Sequence, residues 1–147
     1  MPDIYMSIPG IPGEVTASGH AGKISLESCG WSFERLIDPT TGVLSSPVLP
    51  RLIRVNKLTD RSSPLLAQSA SAGAALSSCD IQCFRPVGGS PVLIWRLLLS
   101  NCRVEGFYQA MNPGAESRPT EEVVFSYGSL QLDIGGLTGS NRYTFKA

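Results

Sequence analysis

The alternation of apolar and polar residues along the chain predicts a protein built mainly from β-strands. Several segments repeat with a period of two, which is the pattern of a strand that buries one face. In residues 51–59, for example, Ile53 and Val55 lie on the face opposite Arg54 and Asn56. The predicted strands span residues 3–8, 23–29, 31–35, 51–59, 77–85, 91–100, 101–110, 120–134 and 142–147.

One helix is predicted between Ser63 and Gly73. Ser63 is suited to the N-cap, and Pro64 to the first helical position, where its missing N–H costs nothing. Gly73 is placed to end the helix in a left-handed conformation. Leu65 and Leu66 are then expected to pack the helix against the strands.

Short strands on both sides of a single helix predict the fold class. Gly30 and Gly128 are expected to kink their strands, which helps a sheet to curl. We predict one domain over residues 1–147, mainly β: a small antiparallel β-barrel of two packed sheets with one flanking α-helix and a long extended loop. A chain of 147 residues that is 42% hydrophobic can bury a core without metals or disulfides.

The extended loop is the segment 36–50, which we call the arm. Its three prolines and one glycine prevent regular structure, yet it also contains the aliphatic residues Val43, Leu44, Val48 and Leu49. Long loops in a compact domain are usually functional or disordered, and disordered segments are poor in aliphatic residues. The arm is therefore predicted to pack on another chain, the alternative being that it folds back over its own barrel.

The charge of the chain limits its partners. Only 16% of its residues are charged, against an average of about 25%, which favours a surface partly covered by other subunits over a plain monomer. Twelve basic and twelve acidic residues give a net charge of zero. No global field is therefore expected to attract nucleic acid or an anionic membrane.

The sequence also bears on localisation. The first residues include Asp3 and lack both a basic segment and a long apolar run, so no secretory signal is predicted. The longest apolar stretch, 91–99, is interrupted by Arg96 and is too short to span a bilayer. We expect a protein made in the cytoplasm, and any export must proceed without a cleaved signal peptide.

No motif for catalysis or cofactor binding is found. His20 is the only histidine and lies in a loop, where a hydrogen-bonded role is favoured over a catalytic one. Glu121 and Glu122 are adjacent in a strand and point to opposite faces, which is wrong for a shared acid–base site. The four cysteines, Cys29, Cys79, Cys83 and Cys102, lack metal-site spacing and are read as reduced thiols. We predict no catalytic, cofactor or metal site and no enzymatic activity.

An ordered series of short segments carries a family resemblance. They are DIYMSIPGIPGE at the start, His20-x-Gly22-x-Ile24, WSF at 31–33, KLTDRSSPLL at 57–66, SAG at 71–73 and TEEV-x-F-x-YG at 120–128. The chain resembles the Hcp family, the haemolysin-coregulated tube proteins of bacterial type VI secretion systems. The resemblance extends over nearly the whole chain.

The resemblance implies a structural tube subunit. Members of the family assemble into hexameric rings, which stack into a tube inside a contractile sheath beneath a VgrG-type spike. The tube is secreted, and its lumen can hold small effectors. The arm would lie at the ring-to-ring contact through Val43, Leu44, Val48 and Leu49. Ser32 is a candidate for the lumen wall, or else a plain solvent-facing serine.

The sequence departs from the family pattern in two places, and it also leaves one rival function open. The arm is less polar than in the family, which leaves the stacking mode open. Tyr143 and Phe145 replace the family's late tryptophan, which leaves the pairing of the last strand open. The rival function is a soluble, ring-shaped effector carrier or adaptor that builds no tube.

Overall fold

The computed structural model describes residues 3–44, 49–50, 52–111, 118–135 and 141–146, with only the backbone at 49, 50 and 141. These residues form eleven strands and one helix. The strands are β1 (Asp3–Ser7), β2 (Ile24–Leu26), β3 (Ser28–Gly30), β4 (Phe33–Glu34), β5 (Leu49–Pro50), β6 (Ile53–Leu58), β7 (Leu76–Val87), β8 (Ser90–Ala110), β9 (Thr120–Ser126), β10 (Ser129–Ile134) and β11 (Asn141–Lys146); the helix is α1 (Ser63–Ala72).

The main sheet is antiparallel and curls on itself. Its strand order is β2-β1-β7-β8-β9-β6-β3, and β10 lies between β8 and β11. The two end strands, β2 and β3, are separated in sequence only by Glu27, whose N–H donates to the Asn56 carbonyl at 2.7 Å. The ends of the sheet are thus brought together, although the hydrogen-bonded ladder is not closed. The predicted fold class is confirmed.

The predicted strand 23–29 is interrupted at Glu27, a break that the sequence did not indicate, whereas the predicted break at Gly30 separates β3 from β4. The reason is that this short segment changes partners at Glu27. Residues before Glu27 pair with β1, and residues after it pair with β6. Gly30 ends β3 and is part of the ladder with Arg54.

A second bend, at Asn101 and Gly128, divides the sheet into two packed layers. Up to Cys102, β8 pairs with β7, and up to Ser100 it also pairs with β10; from Arg103 onward it pairs with β9. Asn101 has a φ of 49°, which asparagine tolerates better than most residues. The Gly128 N–H donates to the carbonyls of Ser100 and Asn101 at 3.0 Å, and a Cβ on Gly128 would lie 3.1 Å from Asn101 Nδ2. The predicted kink at Gly128 is confirmed, and 91–110 is one bent strand.

The core lies between these two layers. The first layer contains β1, β2, β7, β10, β11 and the first half of β8; the second contains β3, β6, β9 and residues 103–110 of β8. Fully buried aliphatic and aromatic side chains come from both, because each strand alternates in burial. They include Met6, Ile24, Ile53, Val55, Ile81, Leu97, Leu99, Val123, Phe125 and Leu130.

Helix α1 joins this core through one leucine. Leu66 is fully buried, whereas Leu65 is 36% exposed, so the expected packing of Leu65 is wrong. Gly73 has a φ of 66°, and its N–H donates to the Ser69 carbonyl at 3.0 Å, which confirms the predicted end of the helix. The N-cap position, however, is Ser62.

Ser63 is not the N-cap because its hydroxyl serves a buried polar network. Glu121, on β9, accepts hydrogen bonds from Lys57 Nζ at 2.6 Å and Ser63 Oγ at 2.8 Å on Oε1. Its Oε2 accepts from Thr59 Oγ1 at 2.9 Å and Gln109 Nε2 at 2.7 Å. The side chains of Lys57 and Glu121 are both 0% exposed. We call these five residues the buried network.

A second carboxylate, that of Asp60, shares the Lys57 ammonium group at the start of the helix, so one cation serves two anions. Lys57 Nζ lies 3.1 Å from Asp60 Oδ1, and Asp60 Oδ1 also accepts from the Ser62 N–H at 2.9 Å. The network therefore joins β6, β9, β8 and the first turn of α1. In a buried network of this kind every polar atom must be paired, and no unpaired buried side-chain nitrogen or oxygen is found among the described residues.

We expect Lys57→Met to destabilise the protein by about 3–5 kcal/mol, because it leaves the Glu121 carboxylate buried without its cation. The double variant Lys57→Met, Glu121→Leu should recover part of this loss. Urea denaturation measures the free energy of unfolding. The control is Arg54→Met, which removes the exposed partner of Glu122 and should cost no more than about 1 kcal/mol. If Lys57→Met and Arg54→Met lowered the free energy of unfolding equally, a special role for the buried pair would be contradicted.

The buried network also predicts acid sensitivity. Burial alone would raise the pKa of Glu121, but hydrogen bonds from Lys57, Ser63, Thr59 and Gln109 outweigh it and lower that pKa below its ordinary value of 4.5. A lowered pKa contributes stability that is present above 4.5 and is lost as the pH falls through the folded-state value. Denaturation between pH 7 and pH 3 measures it. The decline below pH 4.5 should be shallower in the Lys57→Met, Glu121→Leu variant.

Candidate functional site

The described part of the arm forms an antiparallel hairpin. Its base is the pair β4–β5, in which Phe33 lies opposite Pro50 and Glu34 opposite Leu49. Farther out, Ile37 and Leu44 form an isolated antiparallel bridge. The proline-rich sequence thus excludes a long ladder but permits pairing at two places.

The tip of the arm is a tight turn built around Asp38. The Asp38 N–H donates to the Val43 carbonyl, and the Gly42 N–H donates to the Asp38 carbonyl, both at 2.8 Å. Asp38 Oδ1 also accepts from the Thr40 N–H at 2.8 Å. Gly42 has a φ of 73°, which suits glycine best. Local hydrogen bonds therefore define the tip.

The arm exposes an apolar surface, defined here as Leu36, Ile37, Val43 and Leu44. These side chains are 57%, 58%, 62% and 50% exposed, respectively. Val43 and Leu44 are two of the predicted contact residues; Val48 and the Leu49 side chain lie outside the described residues. Leu36 and Ile37 were missed by the sequence analysis, although two adjacent aliphatic residues before Asp-Pro could have suggested them. Clustered exposed aliphatic residues are characteristic of an interaction surface.

Aromatic side chains surround the base of the arm. The Phe33 ring lies 5.1 Å from Trp31, 4.9 Å from Phe145 and 6.2 Å from Tyr143. Phe145 in turn lies 6.5 Å from Tyr127. Trp31 and Tyr127 pack against the core. We call these five residues the aromatic cluster.

Ser32 lies beside this cluster, on the opposite side of the chain. Its side chain is exposed, whereas those of Trp31 and Phe33 are partly buried. It borders a shallow groove together with Leu52 and Arg54. The Arg54 guanidinium is paired with Glu122 at 2.8 Å, so the groove presents little uncompensated charge.

The second layer of the barrel has two different free edges within the described residues. β3 pairs with β6 alone, and residues 103–110 of β8 pair only with β9. Each edge presents backbone N–H and C=O groups that another strand could bind. Because the edges differ, two copies joined through them would meet head to tail.

His20, Cys29 and Cys102 carry potentially reactive side chains, and each packs against neighbouring residues. The His20 ring stacks on Tyr5 at 4.6 Å, and its Nδ1 lies 3.1 Å from Lys23 Nζ. An ammonium group can only donate, so Nδ1 is the acceptor. Burial raises the pKa of Cys29 to about 12 and that of Cys102 to about 11, which keeps both thiols protonated and weakly nucleophilic.

Two further observations concern metals and membranes. Among the residues that the structure describes, no three histidine, cysteine or acidic side chains are grouped to hold a metal ion. Within the same part of the chain, no helix has the length and apolarity needed to cross a bilayer.

The family model for the type VI secretion system effector, Hcp, matches residues 5–134 of this chain. The chain belongs to the Hcp family. The match includes the arm, Ser32 and the buried network, whereas β11 lies beyond it. Among curated proteins, none matches this chain.

Solved Hcp structures share this fold. A double mutant of Hcp1 from E. coli EAEC 042 superposes with a TM-score of 0.84 at 19% identity, covering 99% of this chain and 97% of that one. A type six secretion system protein gives 0.91 at 18% identity, covering 99% and 96%. The secreted protein Hcp3 from Pseudomonas aeruginosa gives 0.73 at 18%, covering all of both chains.

The Hcp fold accounts for the last strand as well. All six residues of β11 pair with β10, from Asn141 opposite Ile134 to Lys146 opposite Ser129. Tyr143 and Phe145, on this strand, both contact Phe33. The pairing of this strand, left open by the sequence, is thereby described.

Proposed function

We propose that this Hcp protein is a non-catalytic structural subunit of a type VI secretion tube, assembling into hexameric rings that stack. The apolar surface of the arm is the observation that carries the proposal. A hairpin ordered by its own hydrogen bonds, with four half-exposed aliphatic side chains, is suited to contact another protein surface. Under this proposal Leu36, Ile37, Val43, Leu44, Val48 and Leu49 form the ring-to-ring contact.

Two unlike sheet edges support a ring. An interface that joins β3 of one copy to residues 103–110 of β8 in the next is head to tail, and such an interface closes into a ring when its rotation permits. Closure also removes the exposed edges, which otherwise invite aggregation. The number six follows from the family resemblance.

In this ring we place Ser32 and the outer face of the second layer on the lumen. The polar groups on that face are largely paired with one another: Arg54 with Glu122, Asn56 with Ser28, and Ser126 with Glu105. A wall whose polar groups are largely hydrogen-bonded to one another suits small effector proteins held by many weak contacts. The spike and the contractile sheath would be the other partners, and the tube would leave the cytoplasm by secretion.

The oligomeric state tests the ring. Mass photometry of the purified protein should give a species of about 94 kDa, six times 15.7 kDa, and negative-stain images should contain rings. A strict monomer at high micromolar concentration would contradict the proposal.

The double variant Leu44→Asp, Leu49→Asp tests stacking. We expect it to remain folded and to form rings but not tubes, because burying two carboxylates without partners at the contact is costly. Sedimentation and electron microscopy distinguish rings from tubes. The control is Leu65→Asp, which places one such carboxylate at an exposed leucine on α1. Tubes that persist in the double variant would contradict the role of the arm.

The same experiments address the rival function. Rings that never stack and that purify together with small client proteins would support a soluble effector carrier. Tubes formed by the unmodified protein, with loss of stacking in the arm variant, would support the tube subunit.

A further inference from the structure

The direction in which the arm leaves the barrel is not determined by the main sheet. The β4–β5 pair forms a two-stranded sheet of its own, and neither strand pairs with the main sheet in the part of the chain that the structure describes. A ladder this short is weak by itself. Side-chain contacts must therefore contribute to the orientation of the arm.

Phe33 provides such contacts, since it is the β4 residue of the aromatic cluster. Its ring meets Phe145 at 4.9 Å with an interplanar angle of 53°, and Trp31 at 5.1 Å with an angle of 80°. Edge-to-face and tilted geometries at these distances are favourable for aromatic pairs. Phe145 also contacts Tyr127, which packs on the core. A continuous path of rings thus links the core to the base of the arm.

The strand that carries Phe145 is a firm support. Every residue of β11 is paired with β10, and β10 is paired along its whole length with β8. A salt bridge between Arg142 Nε and Asp133 Oδ1 at 2.8 Å crosses from β11 to β10. The C-terminal strand is therefore fixed to the longest strand of the barrel.

We infer that Phe33 and Phe145 are positioning residues: their contact fixes the arm to the C-terminal strand and holds it in the orientation needed for assembly. The consequence for assembly rests on the proposed function of the arm. The contact between Phe33 and Phe145 does not rest on that proposal, because it lies within a single chain. It involves β11, which lies beyond the residues matched by the family model.

Limited trypsin cleavage after Arg35 measures the orientation of the arm directly. Arg35 is exposed and lies two residues beyond Phe33. In Phe33→Leu and in Phe145→Leu we expect cleavage there to accelerate roughly tenfold, because the first variant loses three aromatic pairs and the second loses two. Cleavage after Lys57, which is fully buried in β6, serves as the internal reference for global unfolding. In the double variant the two effects should be less than additive, because both substitutions remove the contact between Phe33 and Phe145.

The matched control is Phe84→Leu, which removes an aromatic contact with His20 at 4.6 Å, outside the aromatic cluster. It should lower the thermal midpoint about as much as Phe33→Leu but leave cleavage after Arg35 unchanged. Phe33→Tyr, which retains the ring, should restore the slow rate. Faster cleavage after Arg35 in Phe84→Leu would overturn the inference, and so would fast cleavage in Phe33→Tyr. Either result would mean that Phe33 stabilises the fold in general and does not position the arm.

Failure of this inference can be separated from failure of the proposed function. If cleavage accelerates but tubes still form, the aromatic contact holds the arm while the arm is not needed for stacking. If cleavage is unchanged in both leucine variants, the contact does not position the arm, whatever the state of assembly.

Discussion

The buried ion pair between Lys57 and Glu121 is the interaction on which the rest of this fold depends. Both side chains are removed from water, so the pair is tolerable only because the carboxylate receives four hydrogen bonds. Those donors come from β6, the segment after it, α1 and β8, and they meet at β9. Each must be in place for the others to be satisfied. The network therefore fixes the position of the helix and the register of β6 against β9 together.

Much of the fold could be predicted from the sequence because its signals are local. Alternation identified most strands, Gly73 ended the helix, and Gly128 marked a bend. The N-cap was misplaced by one residue, and the Ser63 hydroxyl instead donates to Glu121, 58 positions away in sequence. Lys57 stood on the same predicted face as Ile53 and Val55, but only the pairing of β6 with β9 reveals that Glu121 lies opposite it. The alternation of apolar and polar residues does not show which distant strands pair or in which register they do so.

The candidate site was predictable in part for the same reason. The composition of the arm identified Val43 and Leu44 as unusual, since aliphatic residues between prolines have no strand or helix to join. Leu36 and Ile37 lie within the predicted arm but precede its first proline, and they were not counted among its contact residues. The Ile37–Leu44 bridge places them on the same hairpin. The contact of Phe33 with Phe145 joins residues 112 positions apart and could not be read from either segment alone.

The bend at Asn101 and Gly128 has a mechanical consequence. The two layers share continuous strands there, so one layer cannot slide or tilt against the other without breaking the hydrogen bonds of Gly128 to Ser100 and Asn101. The barrel should therefore respond to an applied load as one stiff block. In any polymer of this chain the compliance would reside in the short two-stranded arm and between subunits. Stretching or bending such a polymer would rotate its subunits and leave their interiors unchanged.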